Sequence, residues 1–270
     1  MDLSRFAHGG PARLLSCPAC RLLIRDESEP AHYRNDIYDP ALLRHLYPRY
    51  VRAFGDKRPN YLPFLRNGAE VLEVGSHLGA FLQTAEEWGW RPTGLDIGAT
   101  TSAFARRQGL SVKRLALEDY SRGLNNPDAI FIWNCFEQLE DPSGALRQSH
   151  RLLNKHGLLV VRVPNADFYR GQRWRLRKWQ SQTALKLLGY NNLLGFPYLH
   201  GFTAATLDRL LRAHHFEPFA TLNSSVIEPP YPQISPQMRD EWYKIRDEGE
   251  RPRTTGGPWI EVLARRRADA

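Results

Sequence analysis

The stretch VLEVGSHLGAFLQ, Val71–Gln83, decides how the rest of this chain is read. It passes from a short apolar run through a turn bearing Gly75 and Gly79 into a helical pattern. A strand that feeds a glycine turn and a helix lets backbone approach a nucleotide closely. The same rhythm repeats outward. EVLEV, RPTGLDI, LSVKRL, DAIFIWN and LLVVRVPN read as strands, with LGAFLQTAEEWGW, ATTSAFARRQG and DPSGALRQSHRLLNKHG as helices among them. DAIFIWN is apolar enough to be buried on both faces. Asp141 is placed as an N-cap, Pro142 in the first turn and Gly157 past the helix end. FTAATLDRLLRAHHF adds a helix capped by Thr203, and FEPFATLN and PWIEVLARR add two strands. The alternation predicts an α/β class: a doubly wound, seven-stranded, mostly parallel sheet flanked by helices.

Residues 1–65 read as an N-terminal helical appendage with a CxxC turn, and residues 66–270 as the main domain. In the appendage, DPALLRHLYPRYVRAF is a helix that Pro48 is expected to end or kink. Residues 165–199 interrupt the main pattern after the fifth strand and are expected to form a lid or acceptor wall. Their core is YRGQRWRLRKW, where Arg173, Arg175 and Arg177 alternate with Trp174, Leu176 and Trp179. Two readings stay open: the arginines receive an anionic acceptor, or they are the solvated face of an amphipathic helix.

The chain has 270 residues, 42% of them hydrophobic, and a formal net charge of +8. This composition supports a sizeable core and argues against disorder. The positive excess favours an anionic partner without naming one, and no nucleic-acid-binding motif accompanies it. No apolar run is long enough to span a membrane, and the first residues lack a signal-peptide pattern. A cytoplasmic location is expected. Of three cysteines, Cys17 and Cys20 form CPAC, half of a zinc ligand set. The alternative is a turn carrying two thiols.

At the carboxyl end of the first strand, Glu73 stands two residues before Gly75. The second strand ends at Asp96, about 20 residues on, where a carboxylate receives ribose hydroxyls. The dinucleotide fingerprint is G-x-G-x-x-G, whereas this turn is G-x-x-x-G, with His77 where a second glycine would stand. An anion at Glu73 repels a pyrophosphate and attracts a ligand carrying an ammonium and a sulfonium. The ligand so indicated is S-adenosylmethionine.

VLEVGSHLGAFLQTAEEWGWRPTGLDIG, FIWNCFEQLEDPSGALRQSHRLLNKHGLLVVRVPN and YLHGFTAATLDRLLRAHHFEP together resemble the class I S-adenosylmethionine-dependent methyltransferases. The resemblance covers roughly residues 70–220, about the length of one domain, and is greatest to their methyltransferase domain 23 group. It implies a Rossmann-like methyltransferase fold and a methyl transfer to oxygen, nitrogen or carbon of a small-molecule acceptor. It places Glu73, Gly75, Ser76, His77 and Gly79 in the cofactor loop, with Asp96 and its neighbour Ile97 at the ribose. Leu117 and Glu118 fall beside the adenine, and Asn134 and Cys135 near the reactive methyl. SCPACRLL resembles the second half of a zinc-ribbon-like segment. The sequence departs from the family at His77, usually glycine, and at Gln138, often histidine. His200, in YLHGFT, is the candidate general base, since an imidazole titrates near neutrality. Glu137 and Glu140 read as solvated or helix-capping charges. A nucleotide-dependent oxidoreductase and a non-catalytic relative with weakened cofactor binding are the alternatives.

Overall fold

The structure is a computed structural model that describes residues 13–26, 39–121, 126–133, 135–170, 193, 198–224 and 256–267. The arginine-rich core of the insertion and Asn134 lie outside the described residues. So do the proline-rich stretch after Ser224 and the helix expected over RDEWYKIRDEG.

The strand–helix alternation is observed. It runs β3 (Glu70–Val74), α3 (Ala80–Glu87), β4 (Arg91–Leu95), α4 (Ala99–Arg107) and β5 (Val112–Lys113), then β6 (Ala129–Trp133), α5 (Pro142–Leu152) and β7 (Leu158–Pro164). Helix α6 (Ala204–Ala213), β9 (Phe216–Asn223) and β10 (Trp259–Arg266) complete it. The seven-stranded sheet has the order β5-β4-β3-β6-β7-β10-β9. β10 runs antiparallel to both its neighbours, while β3 to β7 pair in parallel. Chain order reverses between β3 and β6, which makes their carboxyl ends the switch point of the sheet.

Alternating side chains give each sheet face its own core. On one face Leu72, Val74, Ile130 and Ile132 meet Leu146, Leu207 and Leu211. On the other, Val71, Phe131, Trp133 and Val160 meet Phe54, Tyr61 and Phe81. Helix ends follow the sequence. Asp141 accepts from Gly144 N–H at 2.8 Å. Thr203 and Thr206 cap each other's backbone N–H at 3.1 and 2.8 Å.

Two expectations about the N-terminal region change. α1 (Pro40–Gly55) continues past Pro48 instead of ending there. Proline removes one helical hydrogen bond, but the helix is held on both sides of it. Leu43 packs with Leu78 and Phe104, Phe54 meets Phe81 at 5.4 Å, and Tyr47 donates to Gln83 at 2.5 Å. The CxxC turn closes a hairpin of β1 (Arg13–Ser16) and β2 (Leu23–Asp26). Cys17 bonds Leu22 and Arg21 through its backbone at 2.9 Å each, with Arg21 left-handed at φ 67. β2 then pairs with β8 (His200–Gly201), so a small antiparallel sheet joins the N-terminal hairpin to the exit of the insertion.

A charged group is buried where β7, β10 and α2 (Arg58–Tyr61) meet. Glu261 accepts from Lys57 at 2.7 Å, from Ser224 at 2.8 Å and from the Tyr61 hydroxyl. Arg162 donates to Ser224 at 2.9 Å. Burial pushes the Glu261 carboxyl up, but Lys57 and the three hydrogen bonds outweigh it and hold it below the usual range. A depressed folded value means that the stability it contributes is complete above the unfolded value of about 4.3 and lost as pH falls through the folded one. Glu261→Gln strands the Lys57 charge in the interior. Urea denaturation at pH 7 should show a loss of about 3 to 5 kcal/mol, and the gap from the parent should narrow in acid.

Candidate active site

The carboxyl ends of β3, β4 and β6 meet at the turn Gly75–Gly79. Three consecutive alternate positions of that turn are left-handed: Gly75 at φ 71, His77 at φ 48 and Gly79 at φ 74. Histidine occupies this region more readily than most side chains, which lets His77 stand where the family has glycine. A Cβ on Gly75 would lie 2.7 Å from Cys135 Sγ, so the turn rests directly on the exit of β6. The Cys135 thiol donates to Val74 O at 3.2 Å. Burial, with Glu137, Asp96 and Glu73 nearby, pushes its pKa well up, so it stays a neutral thiol.

Asp96 ties the turn to the start of α4. Its Oδ2 accepts from His77 N–H at 2.7 Å, and its Oδ1 accepts from Gly98 N–H at 2.8 Å and Thr101 Oγ1 at 2.7 Å. A carboxylate oxygen takes about two bonds, so the open acceptor position is on Oδ2, facing the turn. The His77 ring is shifted down by burial, against the pull of Asp96.

Glu73 is buried, and one of its oxygens, Oε2, has no hydrogen-bond partner. Burial, then Asp96, pushes its carboxyl well above the ordinary range. A buried carboxyl with a partnerless oxygen beside a left-handed turn fits a ligand that brings positive charge, as a sulfonium nucleoside does. Ser76 is also buried, with a partnerless hydroxyl. Ile97 accepts from Arg114 through its backbone at 3.3 Å. Leu117 is in the core against Leu72, Val74 and Leu95, and Glu118 is exposed.

His200 stands in β8, paired with Ile24, its ring 6.1 Å from that of Phe202. Burial lowers its pKa against the pull of the Glu137 carbonyl. Cys17 and Cys20 sit together in the hairpin turn on the side of α6, where Arg209 donates to Ala19 O at 3.1 Å. The Cys17 thiol is shifted down, chiefly by the Cys20 backbone N–H. Among the described residues no group of three or more His, Cys, Asp and Glu side chains is arranged to hold a metal.

The sequence reading missed Glu137. It follows the exit of β6 in a short helical turn, Phe136–Gln138, and has no exposed surface. The reading of Glu137 as solvated or capping is therefore corrected, while Glu140 is exposed. The signal available was its position directly after the apolar Phe136, two residues past Cys135.

The sequence profile of the methyltransferase domain family, group 23, matches residues 43–220. A search of curated proteins returned no match. Among solved structures, a chain from the complex of the Haloferax volcanii Trm112 methyltransferase activator is similar at TM-score 0.61 and 15% identity, over 85% of this chain and 95% of that one. The plantazolicin methyltransferase BpumL, solved with S-adenosylhomocysteine, is similar at TM-score 0.55 and 16% identity, over 87% and 93%. A Thermotoga maritima S-adenosylmethionine-dependent methyltransferase gives 0.51 and 16%, over 84% and 92%. These likenesses show the fold, and the profile match spans well over half of the sequence: the chain belongs to the methyltransferase domain family.

Proposed function

We propose that this enzyme binds S-adenosylmethionine across the exits of β3 and β4 and transfers its methyl group to a small-molecule acceptor. The observation that carries the reading is Glu73: a buried carboxyl, partnerless at Oε2, at the end of the strand that feeds the left-handed turn. The cofactor supplies an electrophilic methyl on a positively charged sulfur. Glu73 contributes the negative potential that a sulfonium and an ammonium meet favourably. The open position on Asp96 Oδ2 takes one ribose hydroxyl. Gly75 and Gly79 keep the backbone close, and the neutral Cys135 thiol seats the loop without competing as a nucleophile. On the resemblance alone, Ile97, Leu117 and Glu118 are proposed at the nucleoside end and Asn134 near the reactive methyl. BpumL, which was solved with S-adenosylhomocysteine, supports this cofactor.

The acceptor is proposed to enter on the β6–β8 side, where His200 meets it. The chain's part in the transfer is to fix the nucleophile in line with the bond that breaks and to take up its proton, since orientation alone supplies much of the rate. Zinc is not needed by this reading, and Cys17 and Cys20 take no part in it.

Calorimetry should register binding of S-adenosylhomocysteine and none of NAD; the reverse would make the chain a nucleotide-dependent oxidoreductase. Gly75→Ala pays for a left-handed backbone and collides with Cys135 Sγ at 2.7 Å. Its affinity for S-adenosylhomocysteine should fall about tenfold or more, since about 1.4 kcal/mol suffices. An unchanged affinity would remove the turn from the binding site.

A further inference from the structure

Glu137 is a charged side chain that the cofactor reading leaves unused. It lies two residues beyond Cys135, whose sulfur touches the Gly75 turn. Its Oε1 accepts a long bond of 3.3 Å from Gln138, and its buried Oε2 has no donor. A carboxyl oxygen buried without a donor is costly.

Two more buried polar atoms without partners stand beside it: the Tyr169 hydroxyl and His200 Nδ1. Tyr169 packs against β8, since a Cβ on Gly201 would lie 2.6 Å from its hydroxyl. β8 is joined to the Glu137 turn by Leu199 N–H, which donates to Glu137 O at 3.0 Å. The charged and titratable groups that face Glu137 are Arg162 on β7, Tyr169 after β7, His200 on β8 and Cys135 at the exit of β6. Arg162 is also engaged by Ser224 at 2.9 Å and lies over Trp259.

We infer that Glu137, Tyr169 and His200 form the acceptor site, that it takes a neutral hydroxyl-bearing small molecule, and that the Glu137 carboxylate receives the hydroxyl proton. The inference rests on the methyltransferase reading and names its substrate class. The balance is simple. The acceptor O–H bond breaks and its proton goes to Glu137. The oxygen forms a bond to the methyl carbon. The carbon–sulfur bond breaks and its electron pair stays on sulfur.

Three observations select this class. Glu73, Asp96 and Glu137 put three carboxyl groups around the exits, which disfavours an anionic acceptor. An amine sheds its ammonium proton to water before it reacts and then carries its own nucleophilic lone pair, whereas a hydroxyl needs a base within the transfer step itself. Burial raises the Glu137 carboxyl to about 7, near where a general base works best at neutral pH. His200 is shifted the other way by burial. Within this proposal the proton goes to Glu137, and His200, whose ring is already tied to the Glu137 carbonyl, holds the acceptor.

The test uses the full chain saturated with S-adenosylhomocysteine, titrated in a calorimeter with phenol, aniline (a neutral amine at these pH values) and benzoate at pH 6 and pH 8. Phenol should bind most tightly, with benzoate about tenfold weaker or worse. Phenol affinity should rise severalfold from pH 6 to pH 8 as Glu137 ionises and accepts a charge-assisted bond. Glu137→Gln should flatten that rise and leave S-adenosylhomocysteine affinity within about twofold. Failure of phenol to bind, a preference for benzoate or aniline, or a pH response that survives Glu137→Gln would overturn the inference. The ranking and the pH response in the parent decide the matter even if the variant does not fold. Absence of S-adenosylhomocysteine binding in the parent, seen before any probe is added, is the separate failure of the methyltransferase reading.

Discussion

Asp96 is the joint on which the site depends. It accepts from the turn after β3 through His77 N–H, and from the start of α4 through Gly98 N–H and Thr101 Oγ1. Three bonds at 2.7 to 2.8 Å fix two neighbouring strand exits against each other. That bracing explains how a histidine is carried at φ 48 in the middle of a glycine loop. The backbone strain at His77 is offset by an amide bond to a charge, and bonds to charged groups are among the stronger ones. It also limits the ligand, because one acceptor position remains open where a bare carboxylate would offer a fork.

The chain as a whole is strongly positive at +8, yet the exits of β3, β4 and β6 are lined by carboxyl groups. Glu73 and Glu137 are both buried with a partnerless oxygen and both shifted upward. By contrast, the buried Glu261 is fully met by Lys57, Ser224 and Tyr61 and is shifted downward. The same residue type thus serves two ends in one sheet. Where its partners are built in, it holds the fold together. Where they are left out, the desolvation cost is not met within the described residues, and the proposed reading assigns that role to a ligand.

Much of this was legible in the sequence, for local reasons. The strands of the sheet, the caps at Asp141 and Thr203, and the switch-point glycines all follow from patterns within a few residues. Glu73, Asp96 and the turn were readable because strand exits are fixed by the same patterns. Long-range contacts were not. β8 is a two-residue strand, and nothing local says that it pairs with a hairpin far upstream. Pro48 misled because a local rule about proline was outweighed by packing around Leu43, Tyr47 and Phe54. Glu137 misled because glutamate is normally solvated, and its burial depends on β7, β8 and Tyr169 closing around it.

The central claim is that Glu73 receives the positive charge of the bound sulfonium nucleoside. The most direct measurement is the proton count when S-adenosylmethionine binds at pH 6, obtained by calorimetry in buffers of different ionisation enthalpy. A carboxyl whose pKa is raised in the free protein and lowered by the ligand gives up its proton on binding. The account predicts net proton release on binding in the parent and a clear loss of that release in Glu73→Gln. Equal proton counts in the two proteins would contradict it.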